Sequence, residues 1–427
     1  MTAFLFLSFL AMLLVGMPIS VCLVLASALT MLLFTDFSMA VVIQRMFSQS
    51  DSFPLVAIPF FVLAGNIMSK GGMSRRLIAL AQSMVGNVRG GMAMVSVVAC
   101  MFFASISGST AATTAAIGIV LIPAMVRSGF SPGSATSLQA TAGSIGIIIP
   151  PSLPFVILGV ISGISIGDLF LGGVLPGILL GLSLMAVAHL TAQVQKHPPS
   201  GEPVSPRNIL AALWHSVLSL LTVVFVVGGI LGGYVTPTEA AIVAVLWSFT
   251  VCFFFYRELK LADLAPALTD TVKITGVVVL CIAASAPFAW LMTIEEIPAQ
   301  LAGGLLGLTD NAIVLKLIVL AILVGVGTFL DLTPAMILLL PVLAPVADSV
   351  GMAPVHFGVV MVMALGIGQC TPPVGIALFV ACSVARTRLE HVFLPLMPYL
   401  LAMVAALLLV TFIPSLSVWL PAVLAGR

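Results

Sequence analysis

The sequence predicts an all-α polytopic membrane protein, on three observations. Of 427 residues, 61% are hydrophobic and 7% charged, whereas a soluble domain carries about 25% charged residues. Several uncharged stretches reach the roughly 20 residues a helix needs to cross the hydrocarbon core. Two parts of the chain also resemble each other, with prolines and glycines in register. Mean hydropathy of +1.29 agrees. The 15 Lys+Arg against 14 Asp+Glu leave no basic surface to neutralise phosphates, which excludes a nucleic-acid binder. The lipid bilayer is the expected surrounding.

The elements follow in order. Residues 3–34 form one uncharged stretch, interrupted near Gly16 and Pro18, with no Lys or Arg before Arg45. A signal peptide needs a basic start, so a retained membrane helix is expected. Further spans are expected near 53–69, 133–166, 169–193, 209–235, 239–256, 274–294 and 392–420, the first of these alternatively lying along the interface. Two stretches, 91–126 and 311–347, are too long for one straight span and are broken by polar or Gly residues. Arms that short predict re-entrant hairpins whose tips stop inside the membrane. The Pro-rich run from His197 to Pro206 reads as a loop between halves. Cationic residues Lys70, Arg75, Arg76, Arg89, Arg386 and Arg388 are placed in the cytoplasm by the positive-inside rule. The six cysteines, Cys22, Cys100, Cys252, Cys281, Cys370 and Cys382, form no CxxC pair, lie in apolar runs and read as buried thiols.

Shifting the chain by 222 residues lays Pro123 on Pro345, Gly129 on Gly351 and Pro132 on Pro354. Ala142, Ile145 and Gly146 fall on Ala364, Ile367 and Gly368, and Pro150-Pro151 on Pro372-Pro373, eight identities in a gapless window of 29. What repeats is backbone geometry. Five expected spans separate the two hairpins, and an odd number inverts the second copy. The fold class is therefore an inverted repeat with two re-entrant helical hairpins and two Pro-Pro-broken helices, a plan used by many secondary transporters. The first repeat is 1–196, with hairpin 91–126 and broken helix 133–166; the connector is 197–208; the second repeat is 209–427, with hairpin 311–347 and broken helix 355–385.

Candidate chemistry gathers at tips and breaks. The first tip reads Ser105-Ile-Ser-Gly-Ser-Thr110, and the second Gly327-Thr-Phe-Leu-Asp-Leu-Thr-Pro334. The first break runs from Thr141 through Gly143, Ser144 and Pro150-Pro151 to Ser152, and the second from Gly366 through Gly368 and Thr371 to Pro372-Pro373. Proline removes an amide donor, so carbonyls before each pair leave the helical ladder. Those carbonyls, with Ser and Thr hydroxyls, are hard oxygen ligands suited to Na⁺. Helix N-termini beside them attract a carboxylate. Two copies predict two cation sites, or more, flanking one substrate site. The cation set is Ser105, Ser107, Gly143, Ser144, Pro150, Gly327, Asp331, Gly366, Gly368 and Thr371. The substrate set is Ser107, Gly108, Ser109, Thr110, Pro151, Asp331, Thr333 and Pro373. Asp331, equivalent to Ser109 under the shift, is an intramembrane carboxylate and functional by default. The competing reading makes it a cap for a helix starting at Pro334, a role Thr333 could also fill. Thr236-Pro-Thr-Glu239 has the form of a capping box, and His215 and His356 read as surface or packed histidines. The Ser-Gly-Ser tip has no neighbouring His base in sequence, so an enzyme is not expected.

With Ala57-Ile-Pro-Phe-Phe-Val-Leu-Ala-Gly-Asn66 and Tyr234-Val-Thr-Pro-Thr-Glu-Ala-Ala241, these tips and breaks resemble the large membrane subunit of TRAP transporters, the tripartite ATP-independent periplasmic systems. The resemblance covers nearly the whole chain. It implies an elevator-type, Na⁺-driven importer of an organic acid such as sialic acid or a C4-dicarboxylate. It also implies a bacterial or archaeal inner membrane, a periplasmic substrate-binding protein and a small four-helix membrane subunit. Some family members carry that subunit fused at the N-terminus; here a separate polypeptide is expected. Rival readings are a stand-alone Na⁺/anion symporter of related architecture, an ion channel and an intramembrane hydrolase.

Overall fold

In the structure, a computed structural model, all residues are described except 86, 197–198, 201–203, 308, 310, 373–374 and 425–427. Among the described residues, eight helices are long and apolar enough to cross a membrane. The apolar stretch near the N-terminus is two helices, α1 (Thr2–Leu14) and α2 (Ile19–Phe34). They part at Gly16, whose φ of +86° suits glycine. The amphipathic α3 (Ala40–Ser50) follows, then α4 (Ala57–Lys70) behind a 3-10 turn, and α5 (Met73–Val85). Segment 53–69 is thus a helix of spanning length, packed on later helices rather than lying alone.

The first hairpin is α6 (Gly91–Ser107) and α7 (Thr110–Arg127). The first broken helix is α8 (Pro132–Gly143), a 3-10 turn over Ser144–Ile147, and α9 (Leu153–Ser162). After α10 (Ile166–Val194) the connector is not all loop: Pro199–Ser200 pairs antiparallel with Val88–Arg89. Pro206, at N1 where its missing amide costs nothing, starts α11 (Pro206–Val223), so the helix begins inside the expected connector. It runs through a π-turn into α12 (Gly229–Leu231), and α13 (Pro237–Thr250) begins at the Thr236–Glu239 capping box.

The expected span 274–294 is the second half of a longer helix, α14 (Leu261–Ile294). Reading spans between charges stopped it at Lys273. The added turns carry Asp263 and Asp270, and Lys70 lies 3.9 Å from Asp270. At ~1.5 Å per residue α14 is about 51 Å long, beyond the ~30 Å hydrocarbon core, so its charged end sits past the membrane. Then come α15 (Ile297–Leu306), the second hairpin α16 (Ala312–Gly327) and α17 (Leu332–Ser349), and the second broken helix α18 (Pro354–Gly368) and α19 (Ile376–Ala385). The last expected span is also two helices, α20 (Glu390–Phe412) and α21 (Ser415–Leu424), parted by Pro414.

Both bounds of α17 lie 222 residues beyond those of α7, and α8 and α18 each begin at a proline in register. The hairpins and broken helices share one hydrophobic core with α4, α5 and α10, whereas α1, α2 and α3 pack in a second, smaller core against the far end of α14. Exposed leucines such as Leu14, Leu182, Leu246 and Leu401 stud the outside, as a lipid-facing surface requires. All six cysteines are buried and free. His356 is fully buried, with Nδ1 2.6 Å from Ser417 Oγ, so it is a packed histidine.

Candidate functional site

Each hairpin tip is held against a break by backbone contact. Gly108 ends α6 at a φ of +59°, and a Cβ there would lie 2.9 Å from both Leu153 N and Pro151 O. Glycine adopts that conformation without strain and, lacking a Cβ, permits that approach. The Leu153 amide donates to the Gly108 carbonyl at 3.3 Å. In the second half, the Gly375 amide, 222 residues beyond Leu153, donates to Thr328 O at 3.4 Å. There α16 and α18 touch through glycines, since a Cβ on Gly368 would lie 2.6 Å from Gly327 Cα. Gly143 meets Thr114 in the same manner.

The prolines free carbonyls as expected, but two of them find new donors. Pro151 cannot donate to Ile147 O, which accepts from Ser152 Oγ at 2.5 Å. In the second copy Gln369 O accepts from the Ala377 amide at 3.1 Å. Each keeps one lone pair for a further partner. The Pro150–Pro151 peptide is cis.

The two tips converge on a cavity of about 160 Å³. Five pairs of positions related by the 222-residue shift line it together: Ser109 with Asp331, Thr110 with Leu332, Ala111 with Thr333, Ile147 with Gln369, and Pro154 with Ile376. Gly108, Leu153 and Ile157 complete the wall, and Ile274 and Val278 of α14 close one side. Four helices, α7, α9, α17 and α19, begin at this cavity, with Thr110, Leu153, Leu332 and Ile376 as first residues. Their dipoles turn positive ends toward it, and no Lys, Arg or His stands in its wall among the described residues, although the Leu153 and Leu332 amides are already taken by Gly108 O and Asp331 Oδ1.

Of the expected substrate residues, Gly108, Ser109, Thr110, Asp331 and Thr333 therefore meet at one place. Ser107 stands one step behind, its hydroxyl 2.7 Å from Thr113 Oγ1. Pro151 backs the Gly108 turn, and Pro373 lies outside the described residues. Among the expected cation residues, Ser105 donates to Phe102 O at 2.6 Å, Ser144 to Thr141 O at 2.7 Å and Thr371 to Ile367 O at 2.8 Å. Each hydroxyl keeps lone pairs for a cation. Gly143, Gly327 and Gly368 are close-approach positions, Gly366 abuts the Ile147 side chain, and Pro150 is buried beside the break.

Asp331 caps α17, which begins at Leu332, two residues before the start expected at Pro334. Its carboxylate accepts the Leu332 amide at 2.8 Å and Gln369 Nε2–H at 2.7 Å through one oxygen, Oδ1. Gln369 is the residue sequence reasoning missed. It sits between Gly368 and Thr371 in the second break and faces Asp331, and the available signal was its replacement of Ile147 under the shift. Gln139 was missed as well. Its amide joins Ser96, at 2.6 Å, to the Thr114 carbonyl, at 3.3 Å, and so ties both arms of the first hairpin to α8.

A larger crevice of about 670 Å³ opens between α14, through Ser285, Ala286 and Ala289, and α17, from Ile337 to Asp348. The end of α9, Gln49 of α3 and the start of α18, through Pro354 and Phe357, also line it.

The family model described as the Tripartite ATP-independent periplasmic transporter, DctM component, matches residues 6–416. The chain belongs to this family. It is 42% identical over 410 residues to the isethionate TRAP transporter permease protein DctMQ of Oleidesulfovibrio alaskensis, covering 95% of this chain and 64% of that longer relative. Identity is 40% to the C4-dicarboxylate TRAP transporter large permease protein DctM of Pseudomonas aeruginosa, over 93% of each chain. It is 37% to the 2,3-diketo-L-gulonate TRAP transporter large permease protein YiaN of Escherichia coli, over 95% of each. Among solved structures, the YdaH transporter of Alcanivorax borkumensis superposes with a TM-score of 0.59 at 15% identity, covering 87% of this chain and 86% of that one. MtrF of Neisseria gonorrhoeae gives 0.58 at 13% identity, covering 87% and 84%. These two share the fold. The chain is a multi-pass inner-membrane transport protein, the large permease subunit of a TRAP transporter.

Proposed function

We propose that this subunit imports an organic acid anion by Na⁺ symport, taking it from a periplasmic binding protein and working with a small four-helix membrane subunit. The observation that carries the reading is the cavity between the two tips, ringed by four helix N-termini. Oriented amides bind an anion without a fixed cation that would hold it too tightly to release. The relatives' named substrates, isethionate, C4-dicarboxylates and 2,3-diketo-L-gulonate, are all anions.

On this reading Na⁺ binds at the two junctions of tip and break. Ser105, Ser107, Gly143, Ser144 and Pro150 form the first. Gly327, Gly366, Gly368 and Thr371 form the second, with Asp331 between it and the substrate. At the first junction Thr114 Oγ1 is buried without a partner in the protein, beside Gly143. An orphaned hydroxyl at a glycine-tight crossing suits a hard monovalent cation. Among the described residues no three His, Cys, Asp or Glu cluster as transition-metal ligands would.

An elevator motion follows from the same reading. The hairpins and broken helices would move as one body, while α1–α5 and α11–α14 stay as scaffold. α7 packs beside α19, both starting at the cavity, and α9 beside α17 likewise. Arg386 and Arg388 follow α19, so the positive-inside rule turns that pair to the cytoplasm. The other pair, with Asp348 and the larger crevice, then faces the periplasm.

The test is uptake in proteoliposomes containing the large and small subunits, with the binding protein added outside. Uptake driven by an inward Na⁺ gradient, absent without the binding protein, is the expected result. Equal uptake in Na⁺-free buffer would refute the coupling, and uptake by this chain alone would favour the stand-alone symporter.

A further inference from the structure

The two halves of the cavity wall differ in chemistry, although the backbone around them repeats. On the first half stand Ser109 and Ile147; at the matching positions of the second stand Asp331 and Gln369. Asp331 Oδ1 already takes the Leu332 amide and the Gln369 Nε2–H. This end therefore offers acceptors: the other carboxylate oxygen, and Gln369 Oε1, which is buried without a partner among the described residues, on a residue 5% exposed. The first half offers donors. Thr110 Oγ1 is likewise buried and unpartnered, on a residue 5% exposed, and opens the 18-residue helix α7. A desolvated acceptor left unpaired is costly, and a carboxylate repels a second carboxylate placed against it.

We propose that the cavity takes a small hydroxylated monocarboxylate. Its carboxylate lies against Thr110 at the N-terminus of α7, and a hydroxyl at its other end donates to Gln369 Oε1 and Asp331. Gln369 is the specificity-determining residue, because its Oε1 is a buried acceptor with no partner among the described residues, whereas Asp331 already accepts two bonds. This assignment rests on the transport reading above and narrows it. The volume, about 160 Å³, equals roughly five water molecules at ~30 Å³ each. That suits an acid of about three or four carbons.

The test is calorimetric titration of the complex of this chain with its small subunit, in saturating NaCl, with three probes: D-glycerate, propanoate and succinate. Glycerate should bind about tenfold tighter than either of the others, the equivalent of one well-placed hydrogen bond. Gln369→Leu should bring glycerate down to the level of propanoate, so that the ratio between the two falls to about one. Succinate binding as tightly as glycerate to the unaltered complex would overturn the assignment and point to Na⁺ shared between Asp331 and a second carboxylate. So would a Gln369→Leu protein in which glycerate and propanoate weaken equally. If none of the three binds yet another acid is taken up with Na⁺, the size and polarity argument fails while the transport reading stands. Absence of any Na⁺-dependent acid uptake would sink both.

Discussion

Replacing Asp331 by Asn asks whether transport needs the charge of this side chain or only its shape. Oδ1 accepts two hydrogen bonds, from the Leu332 amide at 2.8 Å and from Gln369 Nε2 at 2.7 Å. Asparagine carries an acceptor oxygen on the same branch, so both bonds persist in neutral form. A bond to a charged group contributes about 1.5–3 kcal/mol and a neutral one about 0.5–1.5 kcal/mol. Because Asp331 is exposed to the cavity, screening trims the difference, and the folding cost comes to about 1 kcal/mol. Asp331→Ala is harsher: it strips the cap of α17 and leaves the Gln369 amide unpaired, for about 2–4 kcal/mol. Melting curves and co-purification of the small subunit measure the folding side, and proteoliposome uptake measures the cycle. The Asn variant should assemble normally and lose more than about tenfold in uptake, the equivalent of ~1.4 kcal/mol in the transport cycle. A well-folded Asn variant with undiminished uptake would refute the reasoning and leave Asp331 as a helix cap.

Other outcomes follow from the paired junctions. Uptake should rise with external Na⁺ with a Hill slope above one, and a slope near one would count against two sites. Thr371→Val deletes one oxygen at constant volume and should raise the Na⁺ needed about ten- to hundredfold, or ~1–3 kcal/mol; Ile149→Val is the matched control, and equal Na⁺ curves for both would make Thr371 a packing group. Gly368→Ala drives a methyl toward the Gly327 backbone, 2.6 Å away. It should destabilise the complex by about 1–3 kcal/mol or more, read as a lowered Tm, whereas Gly325→Ala, with nothing within 4 Å, should not. Gln139→Leu should lower Tm by unpairing Ser96, and an unshifted melting curve would mean the Ser96–Gln139 bond contributes nothing.

Both hairpins and both broken helices were legible within a few residues, because Pro and Gly mark backbone breaks wherever they sit in an apolar run. The tip residues followed from the same marks. The amphipathic α3 and α5 and the short α15 were not legible, since none holds enough apolar residues in sequence to register as a span. The charged third of α14 was lost for a related reason: a hydropathy reading ends where the membrane does, and the helix does not. Gln369 and Gln139 were invisible for another cause. An amide carries no charge to flag it, and its importance lies in partners 38 and 43 residues away. The identity of Gln369 as a partner of Asp331 needed three dimensions, although the substitution of an amide for Ile147 across the repeat was there to be read.

Helix α14 lines both openings: Ile274 and Val278 border the cavity between the tips, and Ser285, Ala286 and Ala289 border the larger crevice. The midpoints of these two groups are about 11 residues apart, or about 16 Å at ~1.5 Å per residue. A body sliding along this helix would move its cargo by about one such interval to pass from one opening to the other. On the proposed elevator motion α14 would be a ruler as well as a wall, and its small side chains at 283–286 and 289 leave little to catch on. Bulk added there, as in Ala286→Phe, would act as a stop at a known height. The position at which transport stalls along the helix would then measure the stroke of the carrier directly.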